Sequence, residues 1–184
     1  MAQRKVKGSI YQLRVALDGI RPPIWRRILV PGDTKLSVLS EILLAAMGWH
    51  GYHLHQFIVD GVYYGEPNPD DFFDVEDERK ATLQQIAPDV GSKFKYEYDF
   101  GDSWEHTIKV EAILEAEEGM TYPVCIKGKR ACPPEDVGGP WGYAELLETI
   151  SDPDSEEAEE MLDWVGDDFD PEEFDLDVIN SRLQ

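Results

Sequence analysis

Alternation of apolar and polar residues predicts paired strands at the start of the chain. Residues 9–17 and residues 24–30 alternate with the period of two that is typical of strands half-buried on a sheet. Between them, Asp18-Gly19 and Arg21-Pro22-Pro23 carry the residue types that favour turns. The two segments are therefore expected to pair as an antiparallel hairpin.

A change to helical spacing follows the hairpin. From residue 35 to residue 47 the apolar side chains recur at three- and four-residue intervals, and Gly48 provides a typical helix end. Asp33 or Thr34 offers the N-cap. We therefore predict a helix directly after the first two strands.

Further strands and late helices complete the pattern. Strands are predicted over 52–59, 62–64, 93–100 and 104–114, a loop over 119–140, and helices over 141–150, 155–165 and 171–182. Strands that precede helices in this way indicate an α+β fold. We expect a mostly antiparallel sheet with one crossing helix, in a β-grasp-like order, followed by a helical acidic C-terminal part.

Length and composition fit one domain. The chain has 184 residues, of which 42% are hydrophobic, so it can bury a core. We expect a single domain over 1–184, with an α+β core at 8–150 and an acidic helical extension at 151–184.

Negative charge is concentrated towards the C-terminal end. The formal net charge is -21, and residues 145–184 hold 16 acidic residues against one base, Arg182. Apolar residues at helical spacing predict that this part docks on the core through Trp164, Phe174 and Ile179. A strongly negative chain opposes phosphate contacts, which need Lys and Arg. We therefore expect a protein or peptide partner and no nucleic acid.

Cysteine usage and hydropathy indicate a cytoplasmic setting. Two cysteines, Cys125 and Cys132, do not make a disulfide framework in a chain of this length. No apolar run reaches the length of a membrane span, and the start of the chain lacks the apolar segment of a signal peptide. We therefore expect a cytoplasmic protein that does not contact a membrane.

The stretch from Tyr98 to His106 carries the densest group of reactive side chains. It combines carboxylates and an imidazole, which can ligate a metal or move a proton, with aromatic residues. His53 and His55 are two apart on a predicted strand, so their rings should leave one face of the sheet. We predict that these features form one polar pocket, made of His53, His55, Asp99, Asp102, Trp104, Glu105 and His106. The alternative is that each histidine makes its own local hydrogen bond.

The same residue types indicate a metal site. Imidazole and carboxylate groups suit divalent zinc, manganese or iron. The candidate ligands are His53, His55 and His106, with Cys125 and Cys132 as further ligands for zinc. The cysteines are separated by six residues, outside the usual zinc-binding spacing, so reduced and partly buried thiols are the alternative. A divalent metal, zinc first, is the one cofactor that the sequence suggests.

The segment Gly138-Gly139-Pro140-Trp141 has the character of a helix start. Proline fits the first turn of a helix, and the free amides there can bind an anion. Glu135 and Asp136 directly upstream oppose an anion, so a fixed entry from loop to helix is the simpler interpretation.

Four motifs in order resemble one known family. They are Arg21–Arg27, Gly48-Trp49 with His53–Phe57, Tyr98–His106 and Arg130–Tyr143. Over residues 8–180 the chain resembles the plasmid-Ri open-reading-frame-three-like family. The resemblance implies a compact α+β fold without an established biochemical activity, and an association of some members with mobile elements. Relatives often carry a further cysteine where this chain has Val137, so a three-cysteine metal cluster would be incomplete here.

Two functions follow as hypotheses. The first is an interaction or accessory module, linked to mobile elements, whose aromatic and acidic surface binds a protein or peptide. The alternative is a metal-dependent, hydrolase-like enzyme that uses His53, His55, His106, Asp99 and Asp102. Metal content separates the two.

Overall fold

A computed structural model describes residues 8–184, which form an eight-stranded sheet and five helices. The strands are β1 (Ser9–Leu17), β2 (Trp25–Pro31), β3 (His55–Val59), β4 (Val62–Gly65), β5 (Glu76–Asp77), β6 (Lys93–Tyr98), β7 (Trp104–Glu115) and β8 (Val124–Lys129). The helices are α1 (Leu36–Met47), α2 (Leu83–Ile86), α3 (Gly139–Ile150), α4 (Glu156–Val165) and α5 (Leu176–Leu183). The mixed α+β class is confirmed. The predicted single domain includes residues 1–7, which lie outside the described residues.

The sheet is antiparallel apart from one pair of edge strands. Its order is β5-β4-β3-β6-β7-β1-β2-β8, and β4 with β5 is the parallel pair. Helix α1 connects β2 to β3, which are separated by β1, β7 and β6, so it crosses the face of the sheet. Its Leu36, Leu39 and Leu43 are buried, and Ser40 Oγ lies 2.8 Å from the Tyr96 hydroxyl.

The two faces of the sheet have different roles. The face under α1 carries the core, for example Val15, Phe57 and Ile108. The opposite face carries polar pairs, among them Arg27 Nε with Glu111 Oε1 at 2.7 Å. One covered and one solvated face is a common arrangement for antiparallel sheets.

Three parts of the prediction need correction. One crossing helix in a β-grasp-like order is too simple, because α3 and α5 also send buried residues, Tyr143 and Ile179, into the same core. The predicted loop over 119–140 contains β8, which is fixed by its ladder with β2 and not by an alternating pattern of its own. The strand predicted from residue 52 begins at His55, so His53 precedes it.

The acidic C-terminal part packs against the core. Ile179 is buried, and Asn180 exchanges two hydrogen bonds with the backbone of Cys125, at 2.8 and 2.9 Å. The Phe174 ring lies 5.1 Å from the Arg26 guanidinium carbon. Docking through Phe174 and Ile179 is therefore confirmed. Trp164 is not an anchor, because its side chain is 53% exposed.

Over residues 8–184, none of the helices has both the length and the apolar surface that crossing a bilayer demands.

Candidate functional site

A cluster of one histidine and two carboxylates lies where β3 and β6 meet the turn before β7. His53 Nε2 is 2.8 Å from Asp136 Oδ1 and 3.5 Å from Asp99 Oδ2. The ligand-type atoms of the three residues all lie within 4.8 Å of one another. Two of the three side chains face solvent in part, and the third, Asp99, is buried. The cluster is therefore accessible to solvent through His53 and Asp136, whereas Asp99 forms its buried side.

Pairing of β3 with β6 sets the position of His53 beside Asp99. His55 stands opposite Tyr98 in the ladder, and the Asp99 backbone N–H donates to Leu54 O at 2.8 Å. The residue before β3 is thus held next to the residue after β6. The His53 ring also packs edge-on to Tyr98, with centroids 5.8 Å apart.

The turn between β6 and β7 is built around the Asp99 carboxylate. Asp99 has a positive φ of 61°, and its Oδ1 accepts from the N–H groups of Gly101 at 3.0 Å and Asp102 at 3.3 Å. An aspartate in this region of backbone space is favoured when its side chain bonds the local backbone. Ser103, also at positive φ, donates its hydroxyl to Glu97 Oε2 at 2.6 Å.

Asp102 links this turn to the start of α3. Its Oδ2 accepts from the Gly138 N–H at 3.1 Å. A Cβ at Gly139, where φ is +69°, would lie 2.3 Å from Asp102 O, so the close approach requires glycine. The Asp102 carboxylate therefore lies at the start of α3, where the free amides predicted from the sequence could have bound an anion. Asp102 positions the loop before α3 and does not join the His53 cluster.

The loop that carries Asp136 is tied to the core at two further points. Trp49 Nε1 donates to Pro133 O at 2.9 Å. The buried Tyr98 hydroxyl donates to Glu135 Oε1. Burial raises the Tyr98 pKa above its ordinary value, and the bond to Glu135 raises it further, so the phenol stays protonated. Residues 133–136 are therefore held beside His53 through contacts that lie far apart in the sequence.

His55 forms a separate pair. Its Nε2 lies 2.7 Å from Glu78 Oε2, and Glu78 is itself buried. The ring also lies 5.8 Å from that of Tyr96. His55 and His53 therefore have different carboxylate partners, which corresponds to the alternative of local hydrogen bonds and not to one shared ligand set.

His106 is part of the core. Its Nδ1 lies 3.1 Å from Tyr96 O, and since a carbonyl only accepts, Nδ1 carries the proton. Nε2 has no partner among the described residues. Burial lowers the His106 pKa to about 4, so the ring is neutral at pH 7. Trp104 is buried on the same strand, with the Trp49 ring 5.5 Å away and tilted by 32°, whereas Glu105 is exposed to solvent.

The two cysteines lie elsewhere. Cys125 is buried in β8, and Cys132 lies beside the cavity between α1 and the C-terminal part. Burial raises the pKa of both thiols, which are free. Within residues 8–184 the His53 cluster is the one group of three or more such side chains close enough to share an ion. The structure therefore does not gather His53, His55, His106, Cys125 and Cys132 into one site.

Exposed apolar side chains occur on the segments that carry the cluster and at the start of α3. Tyr52 and Leu54 flank His53, Phe100 follows Asp99, and Trp141 lies in the first turn of α3. Their exposed fractions are 78% for Tyr52, 66% for Leu54, 48% for Phe100 and 89% for Trp141. We call these four residues, the three aromatics and Leu54, the aromatic rim. Large apolar side chains that are exposed together are typical of binding surfaces.

Sequence reasoning missed the acidic residues that complete the cluster. Asp136 and Glu135 were considered only as opponents of an anion at α3, and no periodic pattern connects them to His53. The sequence signal that could have identified them is the composition of residues 133–139, in which two prolines precede and two glycines follow the two acidic residues. Such composition indicates a fixed loop, and fixed loops often carry functional side chains.

The fold and the cluster define the class: an α+β protein with one helix-covered sheet face and a histidine–carboxylate cluster at the ends of its central strands. Residues 9–178 match the family described as "Plasmid pRiA4b ORF-3-like protein", and the chain belongs to this family. The resemblance seen in the four motifs is confirmed.

Two relatives extend this result. The chain is 42% identical over 178 residues to "Uncharacterized protein y4hQ" of Sinorhizobium fredii (strain NBRC 101917 / NGR234), covering 96% of this chain and 91% of the relative. A crystal structure of "Protein of Unknown Function MM3350" from Methanosarcina mazei Go1 is similar with a TM-score of 0.84 at 40% identity, covering 92% of this chain and 96% of that chain. Neither description names an activity.

Proposed function

We propose that this protein is an interaction module that binds a peptide segment of a partner protein on the surface centred on His53. The observation that carries the proposal is the aromatic rim, whose four large apolar side chains are exposed on the segments that carry the cluster and at the start of α3. Aromatic side chains are enriched among the residues that dominate binding energy. Trp141 and Tyr52 are the main anchors.

The charge of the surface selects the partner. Asp136 and Glu105 are exposed, and the chain as a whole carries a net charge of -21. Complementary charge accelerates association and discriminates between partners. The peptide therefore carries Lys or Arg beside apolar residues, and binding weakens as salt is raised.

A displayed peptide library tests this proposal on the full chain. The wild type is expected to enrich a family of basic, apolar-containing peptides. The Tyr52→Ala/Trp141→Ala variant is expected to bind them about 1,000-fold more weakly, since each of the two truncated anchors costs about 2 kcal/mol. Trp164→Ala is the matched control, because Trp164 is also exposed but lies on α4. Failure to enrich any peptide family, or equal binding by the rim variant, would contradict the proposal.

The setting of this interaction is a further part of the proposal. Two free thiols support a reducing compartment, in keeping with a cytoplasmic protein. The family description supports a role linked to plasmids or other mobile elements.

A metal-dependent hydrolase is the second candidate function. It is favoured by the closeness of His53, Asp99 and Asp136, which together offer one nitrogen and two oxygen ligands. Hydrolysis of model ester and phosphoester substrates with added metal, lost in Asp136→Asn, would favour the enzyme over the module.

A further inference from the structure

One carboxylate oxygen at the site lacks a good donor. Only 7% of Asp99 is exposed, and its Oδ1 accepts two backbone N–H bonds. Its Oδ2 faces His53 Nε2 at 3.5 Å, which is longer than the usual limit of about 3.2 Å for such a bond. The His53 nitrogen lies closer to Asp136 Oδ1, at 2.8 Å. Asp99 Oδ2 thus accepts no hydrogen bond from the described residues, although the Asp99 side chain is only 10% exposed.

The charges of the cluster do not balance. Asp99 and Asp136 contribute two negative charges, and His53 contributes one positive charge at most and none when neutral. Buried carboxylates are normally paired with a cation or a metal ion. No Lys or Arg lies within ion-pair distance of Asp99 or Asp136 among the described residues. A small cation that contacts all three side chains would balance this charge.

We propose that His53, Asp99 and Asp136 bind one divalent metal cation, with zinc as the best fit. One imidazole nitrogen and two carboxylate oxygens, with solvent in the fourth position, form a ligand set that zinc accepts. The three atoms lie within 4.8 Å of one another, and ligand bonds of about 2.0–2.2 Å need only a small closure. His53 and Asp136 are partly exposed and can supply that movement.

A metal ion at this site would add to the proposed peptide binding, and this part of the inference rests on the proposed function. Bound metal would join the Asp136 loop to the β6–β7 turn, and these two segments lead directly to Trp141 and Phe100 of the aromatic rim. A fixed rim loses less conformational freedom when it binds a peptide. The metal would therefore organise the surface that receives the partner.

Calorimetric titration of the metal-stripped full chain tests the site. Zinc is expected to bind with one equivalent per chain, and His53→Gln and Asp136→Asn should each weaken it at least tenfold. His50→Gln and Asp71→Asn are matched controls, because both residues are exposed and lie outside the cluster. They should bind zinc like the wild type. No heat of binding at about 1 mM zinc, or equal affinity in Asp136→Asn, would overturn the proposal.

Peptide display repeated with and without a chelator separates this inference from the proposed function. Zinc binding that requires His53 and Asp136, without any enriched peptide family, supports the metal site and overturns the peptide module. Enriched peptides whose binding is unchanged by the chelator support the module and overturn the organising role of the metal.

Discussion

His53 and His106 show how one face of a sheet supports two opposite uses of the same residue. Both rings pack against a tyrosine of β6, His53 against Tyr98 and His106 against Tyr96, at 5.8 and 5.4 Å. His53 lies at the end of the strands between two carboxylates and is partly exposed. His106 lies two positions further along the ladder and is fully buried, and its Nε2 has no partner within residues 8–184. The position of a histidine relative to the strand ends therefore decides whether its ring is accessible to a ligand.

The aromatic residues around the two histidines differ in the same way. Trp49 and Tyr96 contact the His106 ring and are buried, as is Trp104 beside Trp49, whereas Tyr52 next to His53 in sequence and Trp141 at the start of α3 are exposed. Buried aromatics stabilise the fold, and exposed aromatics are available to a partner. Mutations in the two regions should therefore affect different properties of the protein.

Truncation of Trp104 should have the largest effect. Trp104→Ala removes a fully buried ring and is expected to lower the free energy of unfolding by about 3–5 kcal/mol. Urea unfolding of the variant measures it. Trp164→Ala, half-exposed on α4, is the comparison and should stay within about 0.5 kcal/mol of wild type. A small loss in Trp104→Ala would mean that the core near His106 is looser than its burial indicates.

Acid should destabilise the protein through His106. Burial lowers its pKa to about 4 from an ordinary value of 6.5, so between these pH values the unfolded chain binds a proton that the folded chain does not. The contribution is fully present above pH 6.5 and is lost as pH falls towards 4, by about 3 kcal/mol in all.

His106→Phe isolates this contribution, because the two proteins differ in this one titratable group. Unfolding free energies measured between pH 7 and pH 4 should fall less steeply in the variant. Parallel curves for the two proteins would show that His106 is not the group responsible.

Substitution at the contact between the turn and α3 should have a moderate effect. In Gly139→Ala the new Cβ would lie 2.3 Å from Asp102 O, and relief of that collision is expected to cost about 1–3 kcal/mol beyond backbone strain. Gly119→Ala is the matched control, since its φ is also positive but nothing lies within 4 Å of the new Cβ. Thermal unfolding compares the two, and equal losses would contradict a close approach at Asp102.

The smallest change in stability should come from the rim. Trp141→Ala is expected to alter the free energy of unfolding by less than about 0.5 kcal/mol, because the side chain is 89% exposed. Urea unfolding alongside peptide binding provides the measurement. A loss above about 1 kcal/mol would assign Trp141 to the fold and weaken its role as an anchor.

Much of the fold could be predicted because local patterns were strong. The strands of β1 and β2, helix α1 and the β6–β7 hairpin have clear periodicity with turn residues between them, and the structure matches them within two residues. Strand β8 was missed because it has no alternation of its own, and only pairing with β2 makes it a strand. Local pattern also failed for Trp164. Its helical spacing predicts a buried anchor, but its side chain is exposed.

By itself, the sequence determined the α+β class, the concentration of acid at the C-terminal end and the family, because periodicity, charge and motif order are properties of the chain. It also identified His53 and Asp99 as residues of chemical interest. Only the tertiary structure decided that Asp136 joins them, that His55 turns to Glu78, and that His106 is buried. The physical reason is that ligand geometry depends on contacts between segments distant in sequence, such as Trp49 with Pro133 and Tyr98 with Glu135. No local pattern encodes these contacts.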